Sequence, residues 1–190
     1  MEPSFSINDI QLFYRYLDTA SYYFEYGTGG STYQASIRQN ILKIISVECD
    51  YIWHNQFKFL LQSDRINFIY CDMDCNTHTW GRPGPNSTIN DWKNYSDQIR
   101  NVDHTILNKI DLILIDERFR VACCLKCFDV INDNCLIVFD DFLNRPEYHI
   151  VLDYYDIIDK SNDNIMVILK KKNTGSPSSE LIEQYEHIKQ

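Results

Sequence analysis

The residues best placed to do chemistry in this 190-residue chain are carboxylates that end apolar runs. Leu112-Ile113-Leu114-Ile115 stops at Asp116, and Leu136-Ile137-Val138-Phe139 stops at Asp140-Asp141. With the two runs as neighbouring strands, three carboxylates meet at one sheet edge. An oxygen-rich cluster of that kind binds a hard divalent cation well and repels itself without one. A metal-free reading stands beside it, in which Asp116 orients a substrate or acts alone as general base while Asp140-Asp141 cap the following turn. His149 is a second candidate base, although a single histidine on a helix more often packs or faces solvent. Arg118 and Arg120, just past Asp116, could hold a diphosphate or sugar hydroxyls, or could pair with Glu117 or Asp140.

A second group lies nearer the N-terminus. Tyr22-Tyr23-Phe24-Glu25-Tyr26 reads as a buried strand that breaks into Gly27-Thr28-Gly29-Gly30 and opens a helix, which Ser31 or Thr32 could cap. Glycine lets a ligand approach the backbone, and the first helical turn presents unpaired N–H groups. The dinucleotide fingerprint wants glycine at its first, third and sixth positions; the sixth here is Thr32, which disfavours NAD. Glu25 suits a cationic ligand better than a pyrophosphate. The next apolar run, residues 43–47, ends in Glu48, whose carboxylate can accept hydrogen bonds from both hydroxyls of a ribose. The run 67–71 ends in Asp72.

The elements that must position these side chains alternate along the chain. A helix over 7–17 precedes strand 22–26, helix 31–40, strand 43–48, helix 52–62 and strand 66–71. After a long loop come helix 91–100, strand 110–115, helix 119–131, strand 135–139, helix 146–153 and strands 154–158 and 164–170. This order predicts an α/β fold with a mostly parallel twisted sheet covered by helices on both faces, with the ligand beyond the carboxyl ends of the strands. The loop 73–90 is long enough to be a lid, and Trp80 or Trp92 could stack on a sugar ring or anchor the loop to the core. Residues 1–172 are expected to form one domain, and 173–190 a polar tail or peripheral helix.

A net charge of −9, with no basic cluster beyond Lys170-Lys171-Lys172, argues against a nucleic-acid partner. No apolar stretch approaches the ~18 residues of a membrane span and no leader pattern opens the chain, so a soluble, cytoplasmic protein without a membrane partner is expected. Seven cysteines without paired C-x-x-C spacing read as buried free thiols in a reducing compartment. Periodicity leaves a homodimer open.

The pattern E-x-G-x-G-G-S-T over residues 25–32 resembles motif I of the class I S-adenosylmethionine-dependent methyltransferases. The resemblance implies their Rossmann-like fold. It also implies a donor held by Glu25, Gly27, Thr28, Gly29, Ser31 and Thr32 around the turn, by Glu48 and Cys49 after the second strand, by Asp72 near the adenine amino group, and by Asp116. The Asp116 and Asp140-Asp141 strand ends are similar to those of metal-dependent O-methyltransferases acting on antibiotic deoxysugars. In that likeness Asp116, Asp140 and Asp141 would ligate magnesium or manganese, which would hold two vicinal hydroxyls and lower the pKa of the one attacked. Glu-Arg-Phe-Arg after Asp116 departs from that group's Gly-Asp pattern. Residues 115–122, with Asp140-Asp141-Phe142, Arg145-Pro146 and Tyr148, more closely resemble small methyltransferases associated with glycan synthesis, some encoded by large DNA viruses. The likeness spans roughly residues 20–155 and implies O-methylation of a sugar hydroxyl on a small-molecule or glycan acceptor, with Asp116 at the reacting oxygen. A phenolic or catechol-like acceptor is the alternative within enzymes, and a non-catalytic Rossmann-like binding module the alternative outside them.

Overall fold

The apolar runs pair into one sheet in the computed structural model, which describes residues 1–76, 79–163 and 165–188. In chain order the strands are β1 (Tyr22–Tyr26), β2 (Lys43–Glu48), β3 (Ile66–Tyr70), β4 (Leu112–Ile115), β5 (Leu136–Phe139), β6 (Tyr155–Lys160) and β7 (Val167–Lys171). They lie side by side as β3-β2-β1-β4-β5-β7-β6. The first five are parallel, while β7 runs antiparallel to both β5 and β6. The helices are α1 (Ile7–Leu17), α2 (Gly30–Ser36), α3 (Tyr51–Leu60), α4 (Ile89–Ser96), α5 (His104–Leu107), α6 (Arg120–Cys127) and α7 (Ser179–Glu186).

Side chains alternate across each strand, so each strand feeds two cores. Phe24, Tyr26, Val47, Ile113, Ile115 and Phe139 pack with Tyr95 of α4 and Leu125 of α6 on one face. Tyr23, Ile44, Leu112, Leu114 and Val138 pack with Leu12 and Phe13 of α1 and Ala35 of α2 on the other. Strand order reverses at β1, whose neighbours are β2 and β4, and this reversal opens a crevice at their carboxyl ends. The register Ile115↔Phe139 puts Asp116 beside Asp140 as the sequence predicts.

Several elements differ in length from their sequence-based bounds. α2 stops at Ser36 because Arg65 donates from Nη2 to the Ser36 carbonyl at 2.7 Å and from Nη1 to that of Arg38 at 3.1 Å, closing the helix end. The helix expected over 91–100 is α4 followed by a 3-10 turn (Gln98–Asn101), and α5 has only 4 residues, too few to carry a periodic signal. Residues 146–153 form a 3-10 helix rather than an α-helix. The strand expected from residue 164 begins at Val167, and residue 164 itself lies outside the described residues. The polar tail contains α7, capped by Ser178 and docked through buried Ile182 and through Glu186, which meets buried Lys126 at 2.5 Å. All seven cysteines are free, and all but Cys75 are buried. No helix among the described residues is long and apolar enough to cross a membrane.

Candidate active site

The donor end of the crevice is built by the turn after β1. Gly27 sits at φ +105°, where a Cβ would lie 3.3 Å from the Glu117 Cβ, so the position needs glycine both for its backbone and for the space. The Gly29 N–H donates to Thr32 Oγ1 at 2.9 Å, and a Cβ on Gly29 would meet nothing within 4 Å. Glu48, at the end of β2, takes three backbone N–H groups: Cys49 at 2.7 Å and Asp50 at 2.8 Å on Oε1, and Thr28 at 3.1 Å on Oε2. These bonds fix a carboxylate that faces the crevice. Burial, with the charge of Glu117 next, pushes the Glu48 carboxyl well above the usual range against the pull of those donors.

Glu25 is elsewhere. It shares the α2-side face of β1 with Tyr23, and its carboxylate is enclosed by the hydroxyls of Tyr23 (2.8 Å), Ser31 (2.7 Å), Ser46 (2.7 Å) and Thr32. Burial pushes its carboxyl up and these hydroxyls hold it down. Glu25 therefore ties β1, β2 and α2 together beneath the turn, instead of facing a cationic ligand as the sequence suggests; Thr32 shares that supporting position.

The other end of the crevice holds Asp116, Asp140 and Asp141, brought together by the β4–β5 register. Arg120 lies among them. Its guanidinium stands 3.3 Å from Asp116 Oδ1, 3.4 Å from Asp140 Oδ2 and 3.4 Å from Asp141 Oδ2, with its side chain only 11% exposed. It also donates to the main-chain oxygens of Asp140 at 2.7 Å and Glu117 at 2.8 Å. Arg145 adds a second cation 2.8 Å from Asp141. Burial, with the Asp140 charge next, pushes the Asp116 carboxyl well up, and Arg120 opposes this. Phe119 makes the arrangement: its left-handed φ of 56° caps α6 and turns the chain back toward the strand ends.

Between the two ends runs a cavity of about 1150 Å³. Its wall includes side chains that spacing and composition did not single out. Glu117 accepts from Tyr95 OH at 3.1 Å and from Cys49 Sγ at 3.5 Å, and burial pushes its carboxyl up to about 6 against those bonds. Trp53 donates its indole N–H to the Thr28 carbonyl at 2.6 Å. Residues 1–4 cross the start of α2, where a Cβ on Gly30 would come 2.2 Å from the Glu2 carbonyl oxygen. Trp80 reaches the cavity, with Arg118 donating to its carbonyl at 2.7 Å, whereas Trp92, on α4, stacks on Phe119. The loop residues 77 and 78 lie outside the described residues.

Besides Glu25 and Thr32, three expected site residues are not on the cavity wall. Asp72 is exposed and accepts from the Asp74 N–H at 2.9 Å, closing its own turn. Cys49 is buried behind Glu117, its thiol turned to Glu117 and the Gly81 carbonyl. His149 is packed on the Phe142 ring with Nε2 3.2 Å from the Phe142 carbonyl and does not line the cavity.

Strand order, the crevice at the β1/β4 reversal and the glycine turn define the Rossmann-like fold of class I methyltransferases. No protein-family model and no curated protein matches the chain. Among solved structures it is similar to a methyltransferase-like protein from Silicibacter pomeroyi DSS-3, with a TM-score of 0.84 and 22% identity over 97% of this chain and 96% of that one. It is also similar to an O-methyltransferase from Bacillus cereus in complex with SAH (TM-score 0.57, 11% identity, 90% and 82% of the chains). A third likeness is to a Methanococcus jannaschii fibrillarin pre-rRNA processing protein (TM-score 0.56, 12% identity, 84% and 70%).

Proposed function

We propose that this chain is an S-adenosylmethionine-dependent O-methyltransferase whose acceptor is a sugar hydroxyl. The observation that carries the reading is the single cavity of about 1150 Å³ joining Glu48 and the glycine turn to Asp116. It exceeds the roughly 300–1,000 Å³ that suits one small ligand, leaving room for donor and acceptor together. The fit to the donor rests on Gly27 and Gly29, whose missing side chains leave the backbone approachable, and on Glu48, fixed by three N–H bonds with its face to the cavity. Carboxylates outnumber guanidinium groups along the wall, which favours a cationic donor and an uncharged acceptor over a phosphorylated one.

The donor supplies an electrophilic methyl group on a sulfonium. What the chain contributes is position and a proton acceptor. Glu48 would hold the ribose hydroxyls, Trp53 would close the turn side, and Asp116 would lie against the reacting oxygen and take its proton. The likeness to a methyltransferase-like protein and an O-methyltransferase supports the class of reaction and leaves the acceptor to be measured.

Calorimetric titration of S-adenosylmethionine and S-adenosylhomocysteine tests the donor. Micromolar binding is expected, and absence of binding by both would leave only a non-catalytic module. Uncharged glycosides and catechols offered with labelled donor then test the acceptor; label on the catechols alone would sink the sugar assignment.

A further inference from the structure

The three strand-end carboxylates have the composition of a divalent-cation site, and a guanidinium occupies their centre. Arg120 lies within 3.4 Å of an oxygen from each of Asp116, Asp140 and Asp141. Its Nε and Nη1 are also bound to the carbonyls of Glu117 and Asp140, and its side chain is nearly enclosed. A magnesium ion needs oxygens at about 2.0–2.1 Å, and so no more than roughly 4.2 Å from one another. The carboxylate oxygens of the three aspartates do not converge even to 4.8 Å; among the described residues Glu48, Cys49 and Glu117 alone meet that spacing. A dication placed among the three would also stand within a few ångströms of a fixed positive charge in a partly dry site, where repulsion is screened far less than in water. The residues present do not fit a metal.

We propose that Arg120 replaces the divalent cation at the acceptor end, neutralising the aspartate cluster and positioning Asp116 as a metal-free proton acceptor. The proposal rests on the methyl-transfer reading for its chemistry alone. In the step it implies, the acceptor's O–H bond breaks with its proton passing to an Asp116 carboxylate oxygen. The hydroxyl oxygen forms the new bond to the methyl carbon as the donor's S–C bond breaks, leaving a neutral thioether. Two positive charges thus surround the developing alkoxide, the sulfonium and Arg120. Arg120 is a positioning residue here, since it acts through Asp116.

The test is Mn²⁺ titration of the donor-free protein, followed by electron paramagnetic resonance and thermal shift, for the native chain and for Arg120→Met, Arg120→Lys and Asp141→Asn. No Asp141-dependent Mn²⁺ site is expected in the native protein. Arg120→Met should uncover one, with Mn²⁺ binding at least about tenfold tighter than in the native chain, and Arg120→Lys should not. Loss of packing alone would not create a metal site, so the gain distinguishes positioning from mere support. Native protein that binds Mn²⁺ with a signal abolished by Asp141→Asn overturns the proposal, and this arm stands even where Arg120→Met does not fold. Donor titration is read separately, so failure of the methyltransferase reading cannot be mistaken for failure of this one.

Discussion

Glu117→Gln should make the protein's stability less sensitive to pH, by an amount the structure sets. The Glu117 carboxyl titrates at about 6 against an ordinary value of 4.5 because it is buried beneath Gly27 and Gly81. The difference of 1.5 corresponds to about 2 kcal/mol, at roughly 1.4 kcal/mol for each pH unit. Because the folded-state value is raised, the stabilisation is fully present below 4.5 and is lost as pH rises through about 6. Glutamine does not titrate, so the stability of the variant minus that of the native chain should rise by about 2 kcal/mol between about pH 4 and pH 8. The amide cannot accept from both Tyr95 and Cys49 as the carboxylate does, but that cost is the same at every pH. Removing the charge also relieves Glu48, which adds in the same direction. Urea unfolding at four pH values measures the difference. A value flat to within about 0.5 kcal/mol would refute the claim that Glu117 is held above its ordinary range.

Glu48→Gln removes a charged acceptor for ribose hydroxyls and should weaken S-adenosylhomocysteine by about 1.5–3 kcal/mol, roughly 10–150-fold by calorimetry; unchanged affinity would place the ribose elsewhere. Gly30→Ala should cost about 1–3 kcal/mol, because the new Cβ would stand 2.2 Å from the Glu2 carbonyl oxygen. Deleting residues 1–4 from that variant should recover the loss in thermal melts, and no recovery would mean that the strain lies within α2. Lys126→Met removes the cation 2.5 Å from buried Glu186, leaves Lys93 at 3.5 Å as its remaining partner, and should cost about 1–3 kcal/mol. The double variant Lys126→Met, Glu186→Leu should lie near the native stability by urea unfolding, and a double variant no more stable than Lys126→Met alone would refute the account by a stranded charge.

Much of the fold is legible because parallel strands buried on both faces are short continuous apolar runs, and 22–26 and 43–48 match β1 and β2 to the residue. The helix ends are less so. They depend on partners distant in sequence, such as Arg65 closing α2 across 29 residues, or on turns such as α5 that are too short to show a period. The donor end of the site is likewise half legible. Glycine spacing and the strand-end position of Glu48 are local signals, whereas the face on which Glu25 falls depends on where β1 stops relative to its pleat. The period-2 alternation that buries Tyr23 puts Glu25 on the same side, and the register Glu25↔Ser46 gives it a hydroxyl partner. Counting in twos from Tyr23 would have predicted this, had the motif not suggested a ligand.

The acceptor end shows why residue types alone mislead about metals. Three aspartates at two neighbouring strand ends have one composition and two physical solutions, a bound dication or a bound guanidinium, and the sequence distinguishes them only through backbone geometry. Arg120 follows Asp116 by four residues, a spacing that could place it on the far side of a helix or loop. It reaches the carboxylates because Phe119 adopts φ 56°, a left-handed conformation costing on the order of 1–3 kcal/mol for a residue of that size. Stacking of Phe119 on Trp92, with ring centroids 5.7 Å apart, and its complete burial offset that cost. Helix α4, which carries Trp92, therefore acts on the site without lining it. By holding Phe119 it fixes the start of α6, and with it the charge that Asp116 faces. Weakening the stack with Trp92→Ala should thus free Arg120 and raise Mn²⁺ affinity, although Trp92 lies outside the cavity wall. If the affinity stays at the native level in a folded Trp92→Ala variant, Arg120 is held by its own carbonyl and carboxylate partners and the link from α4 to the site is broken.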